Sequence, residues 1–390
     1  MRATLVLTAA AALGGCADQA PQESWSVPYV HTVVPWAPDA DGVWYLVDTG
    51  SPRTQVMPEV AGRASAYAGE VEVPGFDLAG LYDGAPLLVS ASLPARLQAA
   101  LAAGEITAFG GVLGSDLLAT VPFALDRDGG QILFGAAASA LADGGADVPV
   151  ELLGGGRACL DDGLCYDADA SRLIAPVELD GAPLEALVDT ASTFVTIPVA
   201  VMLRLLDHDP GLRMAVVDLE GETVGITRLP VRWGGVERTV AVLVVDGLGP
   251  SLSRLHVETG RRVEMLIGHS LLEQFAVAID HAGPSVSLVE RAGFVAAPAT
   301  IGVGLLVRDD GTCFQPISVV RNAPAAAAGV ALDSCVVAID GVAAGAAGAG
   351  DAASRLGHLA AGDRVALSWR PGGGEATASA ELVAEDWLAP

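Results

Sequence analysis

The segment Leu46-Val47-Asp48-Thr49-Gly50-Ser51 constrains this chain more than any other, because it recurs in part as Leu187-Val188-Asp189-Thr190-Ala191-Ser192. In each copy an apolar run breaks into Asp-Thr-small-Ser. That pattern sets a carboxylate at the tip of a buried strand, in a turn tight enough to need a small residue. One such loop is usually only a turn after a strand. Two predict a site assembled from related halves, each giving one Asp. A second pair of segments repeats in the same order. Gly111-Val112-Leu113-Gly114-Ser115-Asp116-Leu117-Leu118 precedes Phe123-Ala124-Leu125-Asp126 and Gln131-Ile132-Leu133-Phe134. Met265-Leu266-Ile267-Gly268-His269-Ser270-Leu271-Leu272 precedes Val277-Ala278-Ile279-Asp280 and Ser285-Val286-Ser287-Leu288. Asp126 stands as far after Gly114 as Asp280 does after Gly268, so an internal duplication is predicted. Asp126 and Asp280 themselves read as turn residues at strand ends.

With 390 residues the chain can hold two or three domains, each with its own core. The formal net charge of -26 argues against nucleic-acid binding, since phosphates would be repelled. The N-terminus reads as an export signal, with Arg2 ahead of a short apolar run at Leu5 to Leu13, too short to span a bilayer. Leu13-Gly14-Gly15-Cys16 resembles a bacterial lipobox, which implies cleavage before Cys16 and lipidation there. Ala17 is not the Asp linked to inner-membrane retention in enterobacteria, so a cell-envelope lipoprotein of the outer membrane is expected. The other cysteines fall into local pairs, Cys159 with Cys165 and Cys313 with Cys335. In an oxidising compartment each pair could form a disulfide; the alternative is unpaired buried thiols. His31, His208, His256, His269, His281 and His358 are scattered, with none at ligand spacing from a cysteine pair, so no metal is expected. Asp161-Asp162 reads as solvated charge rather than a calcium site.

Residues 16–28 read as a polar tether after a 1–15 signal. Strand-turn-strand patterning runs from His31 to Pro58, with Val43 to Val47 feeding Asp48. Short apolar runs follow at Glu70 to Val73 and Pro86 to Ser90, and Leu93 to Ala103 has helical composition with a Gly104 stop. Residues 151–172 read as a linker holding the Cys159/Cys165 pair. After about residue 298 the order changes to strand, Pro-started short helix, strand with an Asp-Gly turn, helix and strand.

On the paired Asp loops and paired Gly elements, the chain resembles the pepsin-like and retropepsin-like aspartic proteases. The resemblance implies a mostly β fold: two related six-stranded-barrel-like lobes, 29–150 and 173–297, about a pseudo-two-fold axis. It implies catalytic Asp48 and Asp189, sharing a proton over two coupled titration steps. Thr49 and Thr190 would hydrogen-bond across the axis, Ser51 and Ser192 would bond the outer carboxylate oxygens, and Gly50 would offer its N–H to an inner one. Gly114 and Gly268 would let the strands beside the Asp loops approach where a Cβ would collide. Ala191 departs from the family's Gly; its Cβ must fit between packed loops, and a positive φ there would be costly. Tyr67 and Tyr82 are the candidates for a flap aromatic. The 298–390 segment resembles the PDZ domains of bacterial proteases over nearly all of 300–385, with Asp310 to Phe314 where a carboxylate-binding loop would lie. The expected function is a monomeric, cofactor-free aspartic endopeptidase acting on peptide or unfolded protein. The alternative is a catalytically weak or inactive peptide- or protein-binding lipoprotein on the same scaffold.

Overall fold

The computed structural model describes residues 25–28, 30–31, 35–38, 43–57, 69–72, 86–89, 109–153, 156–159, 165–168, 172–219, 222–294, 300–372 and 374–388. The fold is mostly β. Six strands close into a barrel in the order Leu173–Leu179, Ala182–Val188, Met265–Ile267, Val195–Pro198, Val236–Val245 and Glu222–Trp233. The ring closes where Glu222–Trp233 pairs back onto Leu173–Leu179, Val177 opposite Trp233. Two pairings in the ring are parallel, Ala182–Val188 with Met265–Ile267 and Val195–Pro198 with Val236–Val245. The first two strands are joined by Asp180-Gly181, whose φ values of 51° and 77° suit the type I′ hairpin turn that an Asp-Gly pair favours. Trp233, Leu179 and Val188 fill the interior and are fully buried.

A second sheet carries Asp48. Beside an edge strand Val30–His31, its strands Pro35–Pro38, Trp44–Val47, Phe109–Leu113, Gln55–Val56, Pro86–Val89 and Gly69–Glu72 pair in that order. The senses run antiparallel, parallel, antiparallel, parallel, antiparallel. The barrel strands repeat this order and these senses position for position.

A further six-stranded sheet pairs Phe123–Asp126 antiparallel with Phe275–Asp280. The two repeated segments are therefore neighbours, with Ala124 opposite Ala278 at the centre of the pairing. Asp126 and Asp280 cap the turns that follow, accepting the N–H of Gly129 and of Ala282.

Residues 300–388 build their own core around Phe314, Val336, Leu367 and Trp369. The core is joined to the barrel by strand pairing. Phe314–Val320 pairs antiparallel with Ala215–Leu219, so one sheet runs from the barrel into this unit. Val320, Ala323 and Leu388 then share an apolar cluster with Val217, Ile226 and Phe194. Cys313 and Cys335 form a disulfide with Cα atoms 5.3 Å apart. Cys159 and Cys165 occupy opposite positions across the hairpin Gly156–Cys159 and Cys165–Ala168. No helix among the described residues is long and apolar enough to cross a membrane. Cys16, Tyr67, Tyr82, the Leu93 to Ala103 stretch and Asp161-Asp162 lie outside the described residues.

Candidate functional site

Each Asp loop leaves a buried strand at its open end. Tyr45, Leu46 and Val47 lead to Asp48, and Ala186, Leu187 and Val188 lead to Asp189. The parallel neighbour holds each strand end, Asp48 N–H donating to the Leu113 carbonyl and Asp189 N–H to the Ile267 carbonyl, both at 3.0 Å. Both aspartates are half-buried, while the threonines beside them are completely buried.

Thr49 and Thr190 lock the loops together by four reciprocal hydrogen bonds. Thr49 N–H donates to Thr190 Oγ1 and Thr190 N–H to Thr49 Oγ1, each at 3.1 Å. The Thr49 hydroxyl donates to the Val188 carbonyl at 2.8 Å, and the Thr190 hydroxyl to the Val47 carbonyl at 2.7 Å. Each hydroxyl is thus donor and acceptor at once, which Ser shares but Val does not.

Within each loop one carboxylate oxygen is held by two successive backbone N–H groups. Asp48 Oδ1 accepts from Gly50 (2.8 Å) and Ser51 (3.0 Å), and Asp189 Oδ1 from Ala191 (2.9 Å) and Ser192 (3.1 Å). The carboxylates converge. A Cβ built on Gly50 would lie 2.8 Å from Asp189 Cγ, 3.1 Å from Asp189 Oδ2 and 3.1 Å from Asp48 Oδ1. Gly50 is thus dictated by close approach rather than by a positive φ, which it does not have.

Two expectations need correction. The Ser51 and Ser192 hydroxyls do not bond the outer carboxylate oxygens. Each donates two residues onward along its own turn, Ser51 to the Arg53 carbonyl (2.8 Å) and Ser192 to the Phe194 carbonyl (2.9 Å). The turn folds that carbonyl onto the hydroxyl and leaves the backbone N–H for the carboxylate. Ala191 carries no backbone strain: among the described non-glycine residues only Asp180, Asn322 and Asp340 have positive φ. Its N–H serves as Gly50's does, and its side chain is buried.

Gly114 and Gly268 support the loops in the same way. A Cβ on Gly114 would stand 2.3 Å from the Arg53 carbonyl carbon, and one on Gly268 2.2 Å from the Phe194 oxygen. These are backbone atoms that no rotamer change can move. The next residues tie the loops down, Ser115 N–H donating to the Ser51 carbonyl and His269 N–H to the Ser192 carbonyl, both at 2.8 Å.

The two supports differ in chemistry. The Ser115 hydroxyl donates to the Thr49 carbonyl at 2.8 Å, and in the matching place His269 Nε2 meets the Thr190 carbonyl at 2.6 Å. His269 Nδ1 is in contact with the buried Arg127 guanidinium. Asp116 Oδ1 accepts from the Thr54 N–H (2.7 Å), the Thr54 hydroxyl (2.8 Å) and the Leu117 N–H (2.8 Å), with Arg53 Nε 3.7 Å from Oδ2. Burial pushes the Asp116 carboxyl up, against the pull of those donors and of Arg53. The matching residue, Ser270, accepts the Val195 N–H and donates to the Ala241 carbonyl. Asp116, Arg127 and His269 are the residues that pattern reading missed. The signal for two of them was the mismatch of Gly-Ser-Asp against Gly-His-Ser in otherwise matching segments.

In the 300–388 unit the Asp310 to Phe314 stretch is a tight turn. Asp310 Oδ1 accepts the N–H groups of Thr312 (2.8 Å) and Cys313 (2.6 Å), which leaves no open backbone cradle. A Gly-apolar-Gly-apolar run lies earlier, at Gly302-Val303-Gly304-Leu305, with φ of 149° and 73° at the two glycines. It leads into Leu305–Asp309, which among the described strands pairs only with Phe314–Val320 and lies beside the helix Ala349–Arg355. Among the described residues no group of three or more His, Cys, Asp or Glu side chains could hold a metal ion. No family model matches the chain, and no curated protein matches it.

Proposed function

We propose that the chain is an aspartic-type endopeptidase of pepsin-like or retropepsin-like architecture: two related lobes, each giving one Asp, with a C-terminal PDZ-like domain. The observation that carries this is the meeting of the Asp48 and Asp189 carboxylates at Gly50, over loops locked by the reciprocal Thr49 and Thr190 bonds. A cradle so specific to two carboxylates suits chemistry that needs both. Two carboxyls this close do not readily ionise together, so one keeps a proton. The ionised member takes a proton from water as the water oxygen bonds to the scissile carbonyl carbon, and the protonated member donates to the carbonyl oxygen. The resulting diol collapses as the first carboxyl protonates the leaving nitrogen, the C–N bond breaks, and a diol proton returns to the second. The fixed N–H donors at Oδ1 of each aspartate hold the carboxyls for this exchange without rearrangement.

The substrate class is an extended peptide or unfolded protein, bound by strand-like pairing between the lobes. In the PDZ-like domain the edge of Leu305–Asp309 that no described strand pairs, fed by the Gly302-Val303-Gly304-Leu305 run, suits pairing with a peptide C-terminus. Lipidation at Cys16 would hold the enzyme, as a monomer, in the bacterial envelope. Two features favour an inactive scaffold, Ala191 and the lack of an obvious flap hairpin in the sequence; the Ala191 backbone has no positive φ, and the flap candidates Tyr67 and Tyr82 lie outside the described residues.

The test is hydrolysis of a denatured polypeptide by Asp48→Asn, Asp189→Asn and the double variant. Because the carboxyls act as a unit, each single variant loses at least about 10³-fold and the double variant loses little more. Unchanged cleavage in both single variants would remove the dyad as catalyst.

A further inference from the structure

We infer that the C-terminal unit is part of the proposed active site rather than a separate recruiting module: it seats the Asp189 loop through Phe194, a positioning residue. This rests on the proposed dyad and adds the element that holds one half of it in place.

The Phe194 carbonyl is the floor of the Asp189 loop. It accepts the hydroxyls of Ser192 (2.9 Å) and Thr196 (3.0 Å). Ser192 in turn donates its N–H to Asp189 Oδ1 at 3.1 Å. A shift of Phe194 therefore reaches the carboxylate through a single residue. The two halves anchor this position differently. In the first half the matching carbonyl belongs to Arg53, whose side chain stands 3.7 Å from Asp116 in the supporting segment of its own half. In the second half Ser270 takes the place of Asp116, and Phe194 that of Arg53, so no such ion pair can form. Phe194 instead packs, half-buried, against the apolar cluster that Val320, Ala323 and Leu388 of the C-terminal unit complete.

The barrel does not supply that cluster alone. Along Val236–Val245 the residues Val240, Val242 and Val244 join the barrel core, while the alternate residues Ala241, Leu243 and Val245 join the cluster. The strand is thus apolar on both faces, and the C-terminal unit helps to cover the second. Ion pairs fix the seat beside the paired strands, Arg321 with Asp218 at 2.7 Å and Arg228 with Asp386 at 2.5 Å. The Asp48 loop is therefore clamped within its own half, whereas the Asp189 loop takes its position from a unit that follows both halves in the sequence. Loss of that seat lets Phe194 move, and with it Ser192 and the Asp189 carboxyl, so the carboxyls no longer meet in register.

The experiment measures kcat and KM of the full mature chain on a fluorogenic peptide that the wild type cleaves. The variants are Phe194→Ala, Phe194→Leu, Leu388→Ala and the double variant of Phe194→Ala with Leu388→Ala, at a temperature where circular dichroism shows each to be folded. Phe194→Ala is expected to lower kcat at least about tenfold with KM within about threefold, and Phe194→Leu, which keeps an apolar side chain in the cluster, to restore most of it. Leu388→Ala, in the C-terminal unit, should lower kcat in the same way. The double variant should lose little more than the worse single one, because both act through one cluster. A purely structural role would lower the unfolding temperature and leave kcat of the folded enzyme unchanged, which would overturn the inference, as would losses in the two single variants that multiply. If Phe194→Ala does not fold, Leu388→Ala decides by the same readout, and an unchanged kcat overturns the inference. A wild-type chain that hydrolyses no peptide ends the dyad and this inference with it, whereas an active wild type with unmoved kcat in the folded variants ends only this one.

Discussion

His281 gives a prediction whose size follows from its surroundings. The ring sits at the end of Phe275–Asp280, 4% exposed, stacked on Phe123 with centroids 6.3 Å apart. Neither ring nitrogen has a hydrogen-bond partner among the described residues. Burial pulls its pKa down from 6.5 to about 4, and the Asp280 charge resists only in part. The unfolded chain therefore binds a proton below about pH 6.5 that the folded chain refuses until about pH 4. Above pH 6.5 the group contributes no slope. As the pH falls from 6.5 toward 4, stability is lost, by about 2 kcal/mol at pH 5 from the two pKa values. His281→Phe keeps the ring contact and removes both orphaned nitrogens. Asp116 and Glu273, whose carboxyls burial holds up, titrate alike in both proteins and cancel in the comparison. Urea unfolding, followed by fluorescence of the buried Trp233, should be run at pH 7.5 and pH 5. The variant should gain about 2 kcal/mol over wild type on passing from the higher to the lower pH. An equal pH response in the two proteins would refute the reasoning.

Three further outcomes follow from the site and the joint. Gly50→Ala puts a methyl 2.8 Å from Asp189 Cγ, so peptide hydrolysis should fall at least about 10²-fold, with thermal unfolding changed far less than activity. Thr190→Val removes a hydroxyl and strands the buried Thr49 N–H and Val47 carbonyl, costing about 1–3 kcal/mol for each in chemical denaturation, while Thr190→Ser recovers most of it. Deleting 300–388 exposes the pairing edge of Ala215–Leu219 and opens the cluster around Val217 and Phe194, so the truncated chain should aggregate on size-exclusion chromatography; a soluble, active monomer would contradict the shared sheet.

The dyad loops were legible because short-range chemistry dictates them. An apolar run, a carboxylate and a small residue leave few ways to build the turn, and the paired glycines marked where backbone meets backbone. The Asp-Gly turn read in the C-terminal segment, Asp340-Gly341, was equally local, with positive φ at both residues. The serine hydroxyls were misplaced because their acceptors, the Arg53 and Phe194 carbonyls, depend on how tightly the chain folds back after the loop. Arg127 was invisible for a different reason. It lies in a turn of one half and meets His269 of the other, 142 residues away, and no local pattern announces such a contact. The joint between Phe314–Val320 and Ala215–Leu219 escaped likewise, since any β strand offers an edge and only the assembled sheet decides which partner takes it.

The most direct measurement is calorimetric binding of a statine-type peptide, whose hydroxyl takes the place of the attacking water between the carboxyls. The wild-type chain should bind it at least about 100-fold more tightly than the matching peptide without the hydroxyl, with proton uptake that varies with pH, and Asp48→Asn with Asp189→Asn should lose that advantage. Equal binding of the two peptides, or an advantage that survives in the double variant, would contradict a working pair of aspartates.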